Sequence, residues 1–181
     1  LDYLKPGSGY GGSCFPKDVM ALSSLSKKIS IPSKIIDAVI AVNEEQPKQL
    51  LKMLKKKINN LSDKSVLILG LSFKPDTDDV RESISLKIIE LLYNEVLSLA
   101  AHDPIAIENT KKTINSSIDI NYVNNWEAAV IKADIVIIAT NWSIYKSIDK
   151  IGSSLSDKII FDTKSLLDSN IIYNENYLTF N

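Results

Sequence analysis

The segment Ser65-Val66-Leu67-Ile68-Leu69-Gly70 is a short, uninterrupted apolar run that ends in glycine. A strand with one wet face alternates apolar and polar residues, whereas a continuous run of this kind belongs to a parallel strand covered on both faces. Four more such runs follow at Val96–Ala101, Ile118–Val123, Ile135–Thr140 and Lys158–Asp162. Helical stretches at Ser83–Asn94, Ile105–Ile114, Trp126–Ala133 and Ser143–Lys150 separate them. Strands alternating with helices predict an α/β fold with a doubly wound, Rossmann-like parallel sheet. Right-handed crossovers then carry the loops that follow the strands to one edge, where ligands of such sheets bind.

Upstream of this unit the periodicity is helical. Val19, Met20, Leu22 and Leu25 recur at helical spacing after Pro16, and the pattern stops before Ile31-Pro32 because proline disfavours helix in its predecessor. From Ser33, a suitable N-cap, apolar residues return at Ile36, Val39, Ile40, Leu50, Met53, Leu54, Ile58 and Leu61. They predict a long central helix of roughly 27 residues, about 40 Å. Its first half, Ile35 to Val42, is apolar on nearly every side, a pattern that predicts burial against more than one partner. A homodimer through residues 33–58 is therefore expected. Pro47 removes a backbone hydrogen bond, so a bend or local break is expected at Asn43–Pro47. The turn-rich stretch Asn59-Asn60-Leu61-Ser62-Asp63-Lys64 divides the chain into residues 1–62 and 63–181.

The chemistry concentrates near the start, in Gly7-Ser8-Gly9-Tyr10-Gly11-Gly12-Ser13-Cys14-Phe15-Pro16-Lys17-Asp18, which holds the sole cysteine of the chain. Four glycines in six positions carry an entropic cost that a bound ligand justifies. Pro16 suits a first helical turn, which places Cys14 at the positive end of a helix, a setting that favours a thiolate. Lys17 adds a cation, and Asp18 lies one turn beyond Cys14, so a nucleophile and a carboxylate face the same space. Gly7, Gly9 and Gly12 also spell G-x-G-x-x-G, but that fingerprint counts only directly after a buried strand. Leu1 to Pro6 is no such strand, because it carries Asp2, Lys5 and a proline.

The loop after the first strand, Gly70-Leu71-Ser72-Phe73-Lys74, has one glycine where a dinucleotide fingerprint needs three. NAD is not expected there. An aromatic face in Phe73 and a cation in Lys74 suit a base and a phosphate instead. Arg81 either meets the ligand or forms an ion pair with Asp76, Asp78, Asp79 or Glu82.

Taken in order, the cysteine loop, Val42-Asn43-Glu44-Glu45-Gln46, the run Gly70 to Ser83 and His102-Asp103-Pro104 resemble the nucleotide-sugar dehydrogenases, the UDP-glucose 6-dehydrogenase and GDP-mannose dehydrogenase family. The resemblance covers nearly the whole chain. It implies oxidation of a sugar C6 alcohol to a carboxylate, with Cys14 as covalent nucleophile, Asp18 orienting or deprotonating water, and Lys17 assisting the thiol. It further implies a UDP-sugar partner held by Tyr10, Gly11, Gly12, Ser13, Phe15, Phe73, Lys74 and Arg81. The family's N-terminal NAD-binding domain has no counterpart in these residues, so NAD is expected to be bound mainly outside them, and the chain alone is not expected to turn over. Where the family commonly shows Asp-Gly-Arg, this chain has Asp162-Thr163-Lys164; Lys164 keeps the charge and loses the bidentate fork. Ser13, rather than histidine, before the cysteine speaks against an N-acetylated sugar; GDP-mannose and a purely nucleotide-sugar-binding module stay open as alternatives. His102 reads as a packed or edge residue rather than an acid-base group.

Composition bounds the rest. The chain has 181 residues, 45% hydrophobic, with 21 basic and 22 acidic side chains. Nothing global favours nucleic acid or an anionic membrane surface, and no run approaches the ~20 apolar residues of a membrane span. One cysteine permits no internal disulfide, which with the absence of a secretory h-region makes the cytoplasm the expected compartment. No metal site is expected.

Overall fold

A computed structural model of the chain describes residues 7–167 and 175–180. Two helices, α1 (Phe15–Lys28) and α2 (Lys34–Lys57), precede the sheet unit. The unit then runs β1 (Ser65–Leu69), α3 (Ile84–Leu92), β2 (Ser98–His102), α4 (Ile107–Thr113), β3 (Asn121–Tyr122), α5 (Trp126–Lys132) and β4 (Ile135–Ile138). A 3-10 segment (Ser143–Leu155), β5 (Ile159–Asp162) and β6 (Tyr177–Thr179) complete it. The strand order is β3-β2-β1-β4-β5-β6 and every pairing is parallel. The chain therefore builds outward from β1 in one direction, returns, and builds outward from β4 in the other. Its switch point lies between β1 and β4, where the loops on the carboxyl side diverge and leave a crevice.

The continuous apolar runs are explained by two cores, one on each face of the sheet. Val66 and Ile68 of β1 pack with α2, α3 and the α4 side, among Leu50, Leu54, Ile88 and Leu92. Leu67 and Leu69 point the other way, toward Trp126, Val130, Tyr145 and Ile148. Period-two alternation thus delivers apolar side chains to both faces, as a doubly covered strand requires.

Four sequence expectations change here. Of the bend or local break expected at Asn43–Pro47, the break does not occur: α2 is helical throughout its 24 residues, with Pro47 inside and buried. The second half of the helix docks on the sheet unit through Leu50 and Leu54, at 1% and 0% exposure, and this packing outweighs one lost backbone hydrogen bond. The run Ile118–Val123 contributes only two residues to the sheet, and β6 extends the sheet beyond the five strands expected. The helix expected at Ser143–Lys150 is a 3-10 segment that continues, across a kink at Gly152, to Leu155.

Candidate functional site

The cysteine loop crosses the carboxyl edge of the sheet and is fastened there from three directions. Asn43 of α2 accepts from the Tyr10 N–H through Oδ1 at 2.7 Å and donates to the Tyr10 carbonyl from Nδ2 at 3.1 Å. The Gly12 N–H donates to the carbonyl of Arg81, in the loop after β1, at 3.0 Å. Ser8 Oγ donates to Thr163 Oγ1, just beyond β5, at 3.2 Å. Gly12 has φ +87° and lies under the Phe73 ring, whose Cε2 would sit 2.7 Å from an added Cβ. Only glycine meets both the backbone angle and the close approach.

This fastening leads the chain into α1 with Cys14 as the N-cap residue and Pro16 in the first turn. Cys14 is free and exposed, with Ser13 Oγ 3.7 Å from its Sγ. Lys17 and Asp18 pair with each other at 3.2 Å, both side chains largely exposed. Arg81 resolves into an ion pair with Asp79: Nη2–Oδ2 is 2.7 Å and Nε–Oδ1 is 3.0 Å. That fork raises the guanidinium pKa, the nearby Cys14 adding in the same direction, and holds the Asp79 carboxyl below its usual range.

Beside the loop opens a cleft of about 1190 Å³. Tyr10 lies on one wall, and the first half of α2 supplies another through Ile35, Val39 and Val42. Lys34, Lys74, Lys146 and Lys164 also line it, and no acidic residue among the described residues does. Lys74 Nζ stands 5.5 Å over the centre of the Phe73 ring. Burial lowers the Lys164 pKa, with Asp162 opposing. A cleft with several cations on its walls suits a phosphorylated ligand.

Of the residues picked out in the sequence, Tyr10, Lys74 and Lys164 line this cleft, while Cys14, Gly11, Gly12, Ser13, Phe15, Lys17, Asp18, Phe73 and Arg81 do not. Phe73 lies behind the cysteine loop, against Gly12, and Phe15 packs edge-on to Tyr10 at 4.8 Å. His102 is buried, with Nδ1 2.9 Å from Tyr145 Oη, and burial lowers its pKa.

The loop after β1 does not fit a dinucleotide pyrophosphate. The N–H groups of Leu71 and Ser72, which would face one, both donate to Asp103 Oδ2, at 2.7 and 3.1 Å. A buried carboxylate already occupies the position where an anion would bind. Asp103 and Asn43 lie in segments that carry the family resemblance, but sequence reasoning assigns neither of them a role. A carboxylate after a strand and an asparagine within an apolar helix were the signals available.

Comparison with known proteins accords with this geometry. The sequence pattern of the UDP binding domain of the UDP-glucose/GDP-mannose dehydrogenase family matches residues 67–169, more than half of the chain. The chain belongs to this family. The central domain of the same dehydrogenase family matches residues 1–45. A UDP-glucose 6-dehydrogenase of Rickettsia conorii is 36% identical over 171 residues, 93% of this chain and 39% of the relative. Among solved structures, a UDP-glucose dehydrogenase from Pyrobaculum islandicum superposes with TM-score 0.83 at 33% identity, over 95% of this chain and 38% of that one. A UDP-D-ManNAc dehydrogenase from Pyrococcus horikoshii gives 0.75 at 30% identity, over 97% of this chain and 39% of that one. The chain thus spans about two fifths of the length of the curated dehydrogenase it matches.

Proposed function

We propose that this chain is the catalytic-cysteine and nucleotide-sugar-binding part of an NAD-dependent UDP-glucose 6-dehydrogenase, which converts UDP-glucose to UDP-glucuronate. The observation that carries the reading is the fastening of the Cys14 loop onto the sheet edge, next to a lysine-lined cleft. Residues 1–62 supply the thiol and the central helix, and residues 63–181 the nucleotide site. The hydride-accepting chemistry of NAD belongs to the part of the enzyme beyond this chain, since the loop after β1 leaves no amides for its pyrophosphate. Within the chain, Cys14 Sγ adds as thiolate to the C6 aldehyde of the once-oxidised sugar, and protonation of the oxygen gives a thiohemiacetal. Loss of its C6 hydride, which NAD would accept, and of the hydroxyl proton leaves a thioester on Cys14, which water cleaves to release the uronate and the thiol. Asp18, one turn into α1, orients that water, and covalent capture keeps the aldehyde from escaping between the two oxidations. A free, exposed thiol fits the reducing cytoplasm.

The nucleotide reading has a direct check. Calorimetry on this chain is expected to detect UDP and no NAD, and Lys74→Ala should weaken UDP by about 1–3 kcal/mol, the scale of a charge-assisted contact. NAD binding tighter than UDP would overturn the assignment. GDP-mannose in place of UDP-glucose is the alternative, decided by running GDP in the same titration.

The first half of α2 also supports a homodimer. Ile35, Val39 and Val42 are 80%, 37% and 58% exposed, an apolar face that also walls the cleft and that a second copy would cover from that side. Leu50 and Leu54 are buried within the chain, so the dimer face is narrower than residues 33–58. Sedimentation should give a dimer at micromolar concentration and a monomer for Val39→Asp. A monomeric parent chain would remove this part of the proposal.

A further inference from the structure

The cleft contains a lysine for which neither the sequence motifs nor the family resemblance assigned a role. The sheet order sets β4 between β1 and β5. The segments that follow these three adjacent strands each send one lysine to the same cleft: Lys74 after β1, Lys146 after β4 and Lys164 after β5. Lys146 therefore takes the middle position, beside the switch point, with Asn141 and Ser143 of its own loop on the same wall.

The backbone at Lys146 is held firmly. Its neighbour Tyr145 is fully buried, with its hydroxyl donating to the His102 carbonyl at 3.1 Å, and Ile148 is fully buried two residues on. The Lys146 side chain itself is exposed and has no hydrogen bond or ion pair among the described residues. The two flanking cations differ from it: Lys74 lies over the Phe73 ring, and Lys164 is half-buried, its backbone N–H donating to Asp162 Oδ1 at 3.1 Å. A diphosphate spreads its charge over two phosphoryl groups, and Lys164 offers a point charge rather than a guanidinium fork. A third cation between the two is what such a ligand requires.

We propose that Lys146 is a diphosphate-binding residue, the central member of a Lys74, Lys146 and Lys164 row that holds the pyrophosphate of the nucleotide sugar. This rests on the nucleotide reading of the cleft, so the test must separate the two. UDP, UMP and uridine are titrated calorimetrically into the parent chain and into Lys146→Gln, Lys146→Arg and Lys74→Gln. Lys146→Gln is expected to weaken UDP about tenfold or more, the loss of one charge-assisted contact. UMP should lose less and uridine nothing, Lys146→Arg should recover most of the loss, and the melting temperature of the free chain should not move. The salt dependence of UDP binding should also become shallower in Lys146→Gln.

Unchanged UDP affinity in Lys146→Gln, alongside a loss in Lys74→Gln, would overturn the role of Lys146 and leave the nucleotide cleft standing. Equal losses of UDP and uridine would also overturn it, by pointing to a structural role. Failure of the parent chain to bind UDP would sink both the cleft reading and this inference.

Discussion

Replacing Asp103 by alanine is expected to destabilise the sheet unit by about 3–5 kcal/mol, the range for stranding buried partners of a charge. Asp103 is 2% exposed. Its Oδ2 accepts from Leu71 N–H at 2.7 Å, Ser72 N–H at 3.1 Å, Ser72 Oγ at 3.2 Å and Trp142 Nε1 at 3.1 Å. Its Oδ1 accepts from the N–H groups of Ile105 and Ala106 at 3.0 and 2.9 Å. One side chain at the end of β2 thus ties together the loop after β1, the loop after β4 and the entry to α4. Removing it leaves six donors without their acceptor, and five of those six bonds are buried. Since a domain of this size is stable by only about 5–15 kcal/mol, the loss is a large fraction of the total. Urea denaturation of the variant measures it. The loop bearing Lys74 should loosen as well, so UDP affinity should fall along with stability. A midpoint shift equivalent to less than about 1 kcal/mol would mean that the neighbouring loops hold themselves, and that Asp103 is not their common anchor.

That His102-Asp103-Pro104 was visible in the sequence without its role being legible illustrates where sequence reading stops. The strands were legible because a doubly covered strand writes its burial into consecutive residues, as Val66 to Leu69 do. β3 was overstated, since Ile118 is buried in the core but only Asn121 and Tyr122 pair with β2. β6 was missed because Tyr177–Thr179 is three half-buried residues with no apolar run of its own. The 3-10 segment had left a mark that went unread: Trp142, Tyr145 and Ile148 are all buried at a spacing of three residues, the period of a 3-10 helix rather than 3.6. In the site, the glycines around Cys14 announced a close approach, and the structure supplies its object, the Phe73 ring. Asn43 and Asp103 act through contacts tens of residues away in the chain, and Lys146 gains its place beside Lys74 and Lys164 only through the strand order. No local pattern distinguishes an asparagine that clamps a loop from one on a wet face, or a clefted lysine from a solvated one. Placement in space, which comes only from the fold, makes the distinction.

For Cys14 the expected effect is on chemistry alone. In the complete dehydrogenase, with its NAD-binding part present, Cys14→Ala should reduce uronate formation by a factor on the order of 10³ or more, as for loss of other covalent nucleophiles. Without the thiol, the aldehyde can leave or hydrate, and no thioester forms for water to cleave. The thiol is exposed, with Ser13 Oγ 3.7 Å from its Sγ, so the same substitution should move stability by no more than about 0.5 kcal/mol. Gly12→Ala supplies the contrast. Its Cβ would meet the Phe73 ring at 2.7 Å, at a backbone φ of +87°, so it should displace the loop from its Arg81 anchor and depress both stability and turnover. Misplacing a reacting group by about 1 Å can cost on the order of 10² in rate. The pair of variants therefore separates a residue that performs chemistry from one that places it. Steady-state assays of NADH and uronate, run beside thermal unfolding, measure both properties. A Cys14→Ala enzyme that still makes uronate at near-parent rates would exclude covalent catalysis and leave the glycine loop as a substrate-positioning element.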